Sequence, residues 1–262
     1  MKRLGSFPLL LLCLVVLRPP AAWAWGTEAH RVIASIAEAR LSPAARAGVA
    51  SLLHGDTLAS VSMWADQMRA NHPDTVRWHH VMIPLDADNY VAARDCRPSA
   101  QGDCVIAALQ RSAATLHDSN ATWLSRLEAL KLIVHLIGDE HQPLDCVSGI
   151  RSGYDVPVTF FGHRTDLHEV WDLQLIEHSG LRADQLSDRL KAKADAMAVD
   201  GTIVSWAEES HRVAREQLAA LPADRVLGQA YYDAALPVVE QQLLRAGVRL
   251  AAVLNNIFAP AQ

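Results

Sequence analysis

Two histidine–aspartate pairs at a four-residue spacing constrain this chain more than any other feature: His135 with Asp139 in VHLIGDEHQPLD, and His168 with Asp172 in DLHEVWD. Four residues is about one turn of α-helix, so each pair presents an imidazole nitrogen and a carboxylate oxygen on one face, where a single cation can take both. One such pair is also an ordinary surface or capping arrangement; two in one chain point to a helical frame that holds metal. The wider periodicity agrees. Helical spacing runs from Thr27 to Arg40, with Val32, Ile33, Ile36 and Ala37 on one side, and is stopped by Ser42 and Pro43; a second helix follows to Leu53, and a third, weaker one spans Ser60 to Ala70. It resumes over roughly 103–118, 122–139, 166–178, 184–198, 200–220 and 226–256. Arg77 to Leu85 (RWHHVMIPL) reads as extended, and Asp145 to Arg164 as a loop or small hairpin. The expected fold class is all-α, a single helical domain with little strand.

The N-terminus carries a different signal. Lys2 and Arg3 precede an apolar run from Phe7 to Leu17, and Ala22, Trp23 and Ala24 have the form of a cleavage site, so residues 1–24 read as a secretory signal peptide. The run falls short of the roughly 20 residues of a membrane span, and Arg18, Pro19 and Pro20 end it. Residues 25–262 are therefore expected as an exported domain, secreted or periplasmic, monomeric, with no stable membrane association. Cleavage after Ala24 would make Trp25 the first residue. Its amino group, of unperturbed pKa about 7.7–8.0, can lose its proton and close a five-membered chelate ring with its own carbonyl oxygen, and Gly26 leaves room for an ion. Taken alone, a tryptophan plugging the core is the simpler reading.

The first 24 residues hold three of the 24 lysines and arginines and none of the 29 acids, so the remainder has a formal charge of −8. Such a chain is poorly suited to holding nucleic acid on a basic surface, and if it handles phosphates, bound metal must supply much of the positive charge. Cys96 and Cys104 flank the turn-rich RPSAQGD, which suits a local disulfide in an oxidising compartment; Cys146 is left over.

Further nitrogen and oxygen donors stand in apolar surroundings: His30 in WGTEAH, Asp66 in SMWADQMR and His79 in RWHHVMIP. Singly, Asp66 reads as a cap or a partner of Arg69, and His79 as a satisfied core histidine. Jointly with Trp25 and the two pairs they exceed the roughly four ligands of one tetrahedral zinc, which suits a polynuclear cluster.

WGTEAH, WADQMR, WHHV, HLIGDEHQPL and LHEVWD, in this order from Trp25 to Asp172, resemble the zinc-dependent S1/P1 nuclease family of type I nucleases and 3′-nucleotidases, related to zinc phospholipase C. The resemblance implies three Zn2+. Trp25, through amine and carbonyl, and His30 would hold one, bridged by Asp139 to a second held by Asp66, His79 and His135; His168 and Asp172 would hold the third. Where the family's QPL is followed by histidine this chain has Asp145, an acceptable but harder ligand, expected to hold the third zinc more weakly or to favour an oxygen-seeking ion such as Mn; His141 and Cys146 rank lower as substitutes. The implied activity is hydrolysis of single-stranded DNA or RNA and of 3′-nucleotides to 5′-phosphate products, with Asp66 orienting the attacking water and Arg69 steadying the phosphate oxygens. Tyr154 is a candidate base platform, and Met82 replaces a polar base-contacting residue of the family. A phospholipase C, or an inactive secreted zinc-binding relative, are the alternative readings.

Overall fold

The computed structural model describes residues 25–260; the expected signal peptide, residues 1–24, lies outside the described residues. Helix α1 (Thr27–Ala39) follows Gly26 and buries Val32, Ile33, Ile36 and Ala37 completely. Burying an isoleucine of this kind stabilises by about 1.5–3 kcal/mol relative to exposure. In α2 (Pro43–Leu53) the Ser42 hydroxyl accepts from the Ala45 N–H, and Pro43 occupies the first position, where a missing N–H costs nothing.

The segment from Ser60 to Ala70 is two short helices, α3 (Leu58–Val61) and α4 (Trp64–Arg69), rather than one. Between them the Ser62 carbonyl accepts from the ring of His135, so it serves a histidine and not a continuing helix. Only part of RWHHVMIPL is extended. Pro73 opens a 3₁₀ helix that runs through His79, and the chain straightens from His80 to an isolated bridge between Pro84 and Ser148.

Next come α5 (Ala92–Asp95), α6 (Val105–His117) and α7 (Trp123–Glu140). The expected Cys96–Cys104 disulfide is formed and joins the end of α5 to the start of α6; Cys146 is free and buried. Helix α7 starts where Thr122 accepts from the Ser125 N–H. After it, 3₁₀ turns at Pro143–Cys146 and Arg151–Gly153 lead into a hairpin of β1 (Pro157–Phe160) and β2 (His163–Asp166). The stretch 166–178 is helical with an internal change of winding: α8 (Leu167–Glu169), a π-helical turn Val170–Gln174, then α9 (Leu175–His178). Helices α10 (Ala183–Ala194) and α11 (Ile203–Ala219) follow. Then β3 (Val226–Leu227) takes the first residues expected in the last helix, pairing parallel to β1 in the order β2-β1-β3 before α12 (Gln229–Ile257) begins.

Among the described residues the architecture is helical with this one small sheet, as the periodicity implied. Helix α1 packs on α12 and α10, α7 packs on α6, and α11 packs on the 3₁₀ turn after α7. Helix α7 therefore carries its last two turns into the interior, where Gly138, Asp139, Glu140 and His141 are all buried. No helix of the described residues is long and apolar enough to cross a membrane.

Candidate metal centre

Four elements bring the first group of ligands together. Helix α7 supplies His135 and Asp139, α1 supplies His30, α4 supplies Asp66, and the 3₁₀ helix supplies His79; all five are buried. Asp139 sits at the centre: Oδ2 is 2.9 Å from His79 Nδ1 and 3.2 Å from His135 Nε2, while Oδ1 is 3.3 Å from His30 Nε2. Asp66 Oδ1 faces His79 Nδ1 and His135 Nε2 at 3.6 Å each. The rings of His30 and His135 stack with centroids 4.0 Å apart.

The electrostatics of this group suit candidate metal ligands. His135 Nδ1 donates to the Ser62 carbonyl at 2.6 Å, which directs Nε2 at the carboxylates. Burial opposes a charge on His135, but Asp139 and Asp66 outweigh it and hold its pKa well above the ordinary imidazole value. Burial dominates at His30 and His79 and lowers both. Burial would raise Asp139; His135 and its other imidazole neighbours outweigh that and hold the carboxyl well below the usual range. Five buried atoms on this ring of residues have no hydrogen-bond partner: both ring nitrogens of His30, and His135 Nε2, Asp66 Oδ2 and Asp139 Oδ1. Each such orphan costs about 1–3 kcal/mol, and cations held between His30 Nε2, His135 Nε2, Asp66 Oδ2 and Asp139 Oδ1 would satisfy those four. Candidate ligand atoms of His30, His135 and Asp139, and those of Asp66, His79 and His135, lie within 4.8 Å of one another in each set. Imidazole nitrogens mixed with carboxylate oxygens are a donor set that zinc accepts, so the residues fit the expected ions.

The third group is looser. His168 Nε2 lies 2.7 Å from Asp172 Oδ2 and 4.0 Å from Asp145 Oδ1. His168 Nδ1 donates to the Ser152 carbonyl at 2.6 Å, the same arrangement as at His135. Ser152 holds a left-handed backbone, φ 54°, a conformation that costs a non-glycine residue about 1–3 kcal/mol and is typical of functional sites. The π-helical turn carries Asp172, so the pair sits on a widened turn where the spacing suggested regular α-helix. Asp145 lies on the 3₁₀ turn after Pro143, with Oδ2 buried and unpartnered; burial, with Asp172 and Asp139 adding to it, pushes its carboxyl well up.

The two lower-ranked substitutes for Asp145 are committed elsewhere. His141 Nδ1 donates to the Ile137 carbonyl at 2.7 Å and Nε2 accepts from Arg249 Nη1 at 2.9 Å, so neither nitrogen is open to an ion. Cys146 Sγ donates to the Glu140 carbonyl at 3.3 Å.

Trp25 is fully buried, and the Gly26 N–H donates to the Asp172 carbonyl at 3.1 Å, which brings the start of the described chain against the third group. A Cβ on Gly26 would lie 2.1 Å from Leu173 Cδ2, the end of an exposed side chain that can turn away, and 3.1 Å from the Asp172 carbonyl oxygen, so the approach is close but does not by itself require glycine. Arg69 reaches back one turn along α4 to Asp66 Oδ1 at 3.0 Å and is the cation at the edge of the first group. Tyr154 stacks on His168, centroids 4.0 Å apart, which commits one ring face to that histidine.

Gln142, Ser62 and Ser152 were not singled out from the sequence, and only Gln142 left a signal there. A polar residue just before Pro143 marks the start of the 3₁₀ turn, which its side chain caps by accepting from the Leu144 N–H. The two serines act through backbone carbonyls, which side-chain identity does not announce.

Residues 25–259 match the family model described as S1/P1 Nuclease. Endonuclease 2 of Arabidopsis thaliana is 30% identical over 91% of this chain and 92% of its own length, and Endonuclease 4 of the same plant is 32% identical over 91% and 90%. Nuclease S1 of Aspergillus oryzae is 30% identical over 90% of this chain and 92% of its own. The match begins at the residue expected to open the mature protein and encloses every element that brings a ligand to the cluster: the chain belongs to the S1/P1 nuclease family.

Proposed function

We propose that this nuclease is an exported three-zinc phosphoesterase that hydrolyses single-stranded DNA and RNA and 3′-nucleotides, leaving 5′-phosphates. The observation that carries the reading is the buried ring of His30, Asp66, His79, His135 and Asp139, in which His30 Nε2, His135 Nε2, Asp66 Oδ2 and Asp139 Oδ1 have no hydrogen-bond partner, with Arg69 beside them. Trp25 and His30 are assigned to one ion, Asp66, His79 and His135 to a second, with Asp139 shared, and Asp145, His168 and Asp172 to the third.

Bound ions would supply a water that ionises near neutral pH, its pKa brought from about 15.7 to about 7, and positive charge for the phosphate. The chain does the rest. Asp66, with Oδ2 unpartnered, orients the attacking water and takes its hydrogen bond. Arg69 turns its guanidinium to the non-bridging phosphate oxygens, exchanging the Asp66 carboxylate for a second anion. A recessed cluster also favours a flexible strand, since a stiff duplex cannot bend its backbone into a buried ring.

The deciding experiment compares the chain beginning at Trp25 with the same chain bearing one extra N-terminal residue, on single-stranded DNA, single-stranded RNA and phosphatidylcholine, with zinc counted in both. Cleavage of the nucleic acids by the first form, and loss of activity and of one zinc in the second, is the expected result. Full zinc in both forms with no cleavage of either nucleic acid would overturn the reading.

A further inference from the structure

Gln142 is fully buried and touches three ligand-bearing residues at once. Its backbone N–H donates to the Asp139 carbonyl and its carbonyl accepts from the Asp145 N–H, both at 3.0 Å. Its side chain reaches the third residue. Oε1 accepts from the Leu144 N–H at 2.8 Å, which fixes the orientation of the amide, so the opposite end is Nε2, and it donates to Asp172 Oδ1 at 2.5 Å. One oxygen of the Asp172 carboxylate is thus occupied by a neutral donor, and the other, Oδ2, is left facing His168 Nε2.

The turn that holds Gln142 is itself braced from α12. Gln242 Nε2 donates to the His141 carbonyl at 3.0 Å, and Arg249 Nη1 donates to the His141 ring at 2.9 Å while also pairing with Glu209. The amide therefore has little freedom to leave Asp172.

We propose that Gln142 is a positioning residue that makes Asp172 a one-oxygen ligand and thereby tunes the affinity and metal choice of the third site. This rests on the three-ion reading above. With Asp145 already present, an Asp172 free to turn both oxygens inward would give an oxygen-rich site suited to larger, harder ions. By holding one oxygen back, Gln142 keeps the site small enough for zinc despite the extra carboxylate. Outer-shell donors of this kind change metal affinity by about 10–100-fold when removed.

The test titrates zinc and manganese into the metal-free mature chain and into the Gln142→Glu and Gln142→Leu variants, counting ions and reading each affinity. Glutamate keeps the acceptor for Leu144 and loses the donor to Asp172; leucine loses both. The expected result in each is a third zinc weakened by about 10–100-fold, a smaller loss for manganese, and the first two ions unchanged. Unaltered third-ion binding in the folded variants, or an equal loss of all three ions, overturns the proposal. A measurement independent of substitution is anomalous diffraction from zinc-loaded crystals of the unaltered protein: Asp172 is expected to contact the third ion through Oδ2 alone, and contact through both oxygens overturns the inference. Wild-type protein that never takes up a third ion overturns the three-ion reading and this inference together, whereas wild-type loading with unchanged variants overturns this inference alone.

Discussion

Gly138 lies directly against the ring of His30: a Cβ at position 138 would come within 2.8 Å of Nδ1 and 2.9 Å of Cε1. Glycine inside a helix costs about 1 kcal/mol relative to alanine, so the helix gives up stability there to let an imidazole pass. The ring also stacks on His135, so it cannot shift without disturbing that histidine. Gly138→Ala is expected to improve the intrinsic helicity of α7 while displacing His30 and, through the stack, His135. Zinc counting and titration should show weakened binding at the first two sites, with affinity reduced by about tenfold or more. Wild-type zinc affinity in this variant would mean that the His30 ring is not held where the ion needs it.

Asp145 stands where the resemblance implies a histidine, and neither of its two candidate substitutes is free to replace it. Both nitrogens of His141 are engaged and Cys146 is turned toward the Glu140 carbonyl. Asp145→Ala is therefore expected to bind one ion fewer, and Asp145→His to keep the ion and favour zinc over manganese more strongly than the unaltered site does. Unchanged metal content in Asp145→Ala, measured by elemental analysis after dialysis, would remove Asp145 from the ligand set.

Much of this arrangement was legible because candidate metal ligands on helices leave a periodic record. His135/Asp139 read as one face of a helix, and α7 is a regular helix that ends one residue later. The features that escaped are those in which the backbone departs from regularity to serve a side chain. The break between α3 and α4 follows from the use of the Ser62 carbonyl by His135, a contact 73 residues away in the chain. The π-helical turn under Asp172 keeps the same sequence spacing as an α-helix, so periodicity cannot reveal it. Likewise β3 is two residues whose partner strand lies far upstream, and apolar residues at a helix start look alike in either state.

Arg249 is a buried cation on α12, facing His141 Nε2, Glu209 and the ring of Trp206. Removing one member of a buried ion pair typically costs about 3–5 kcal/mol; Glu209 keeps some contact with water, which places the expected cost of Arg249→Met near or below about 3 kcal/mol. At this chain length that corresponds to a fall in Tm of about 6–12 °C. Thermal unfolding of the metal-free protein is the direct measurement, and a change of less than about 2 °C would show that the Arg249 network adds no net stability.

Metal uptake at the third group should release protons, and His168 sets the pH range. In the metal-free protein burial opposes its charge, but Asp172 and Asp145 outweigh burial and raise the pKa from 6.5 to about 10. A raised histidine contributes stability that is fully present below about 6.5 and is lost as pH rises through about 10, so the metal-free fold is expected to lose this contribution across that window. The ion needs the Nε2 lone pair and must displace the proton, so third-ion affinity is expected to rise with pH over the same interval, by up to about tenfold per unit. Calorimetric zinc titration at pH 7.5 in two buffers of different ionisation heat should report at least one proton released with the third ion. Heats that do not depend on the buffer would show that no proton leaves His168, and so that His168 Nε2 is not the atom that takes the metal.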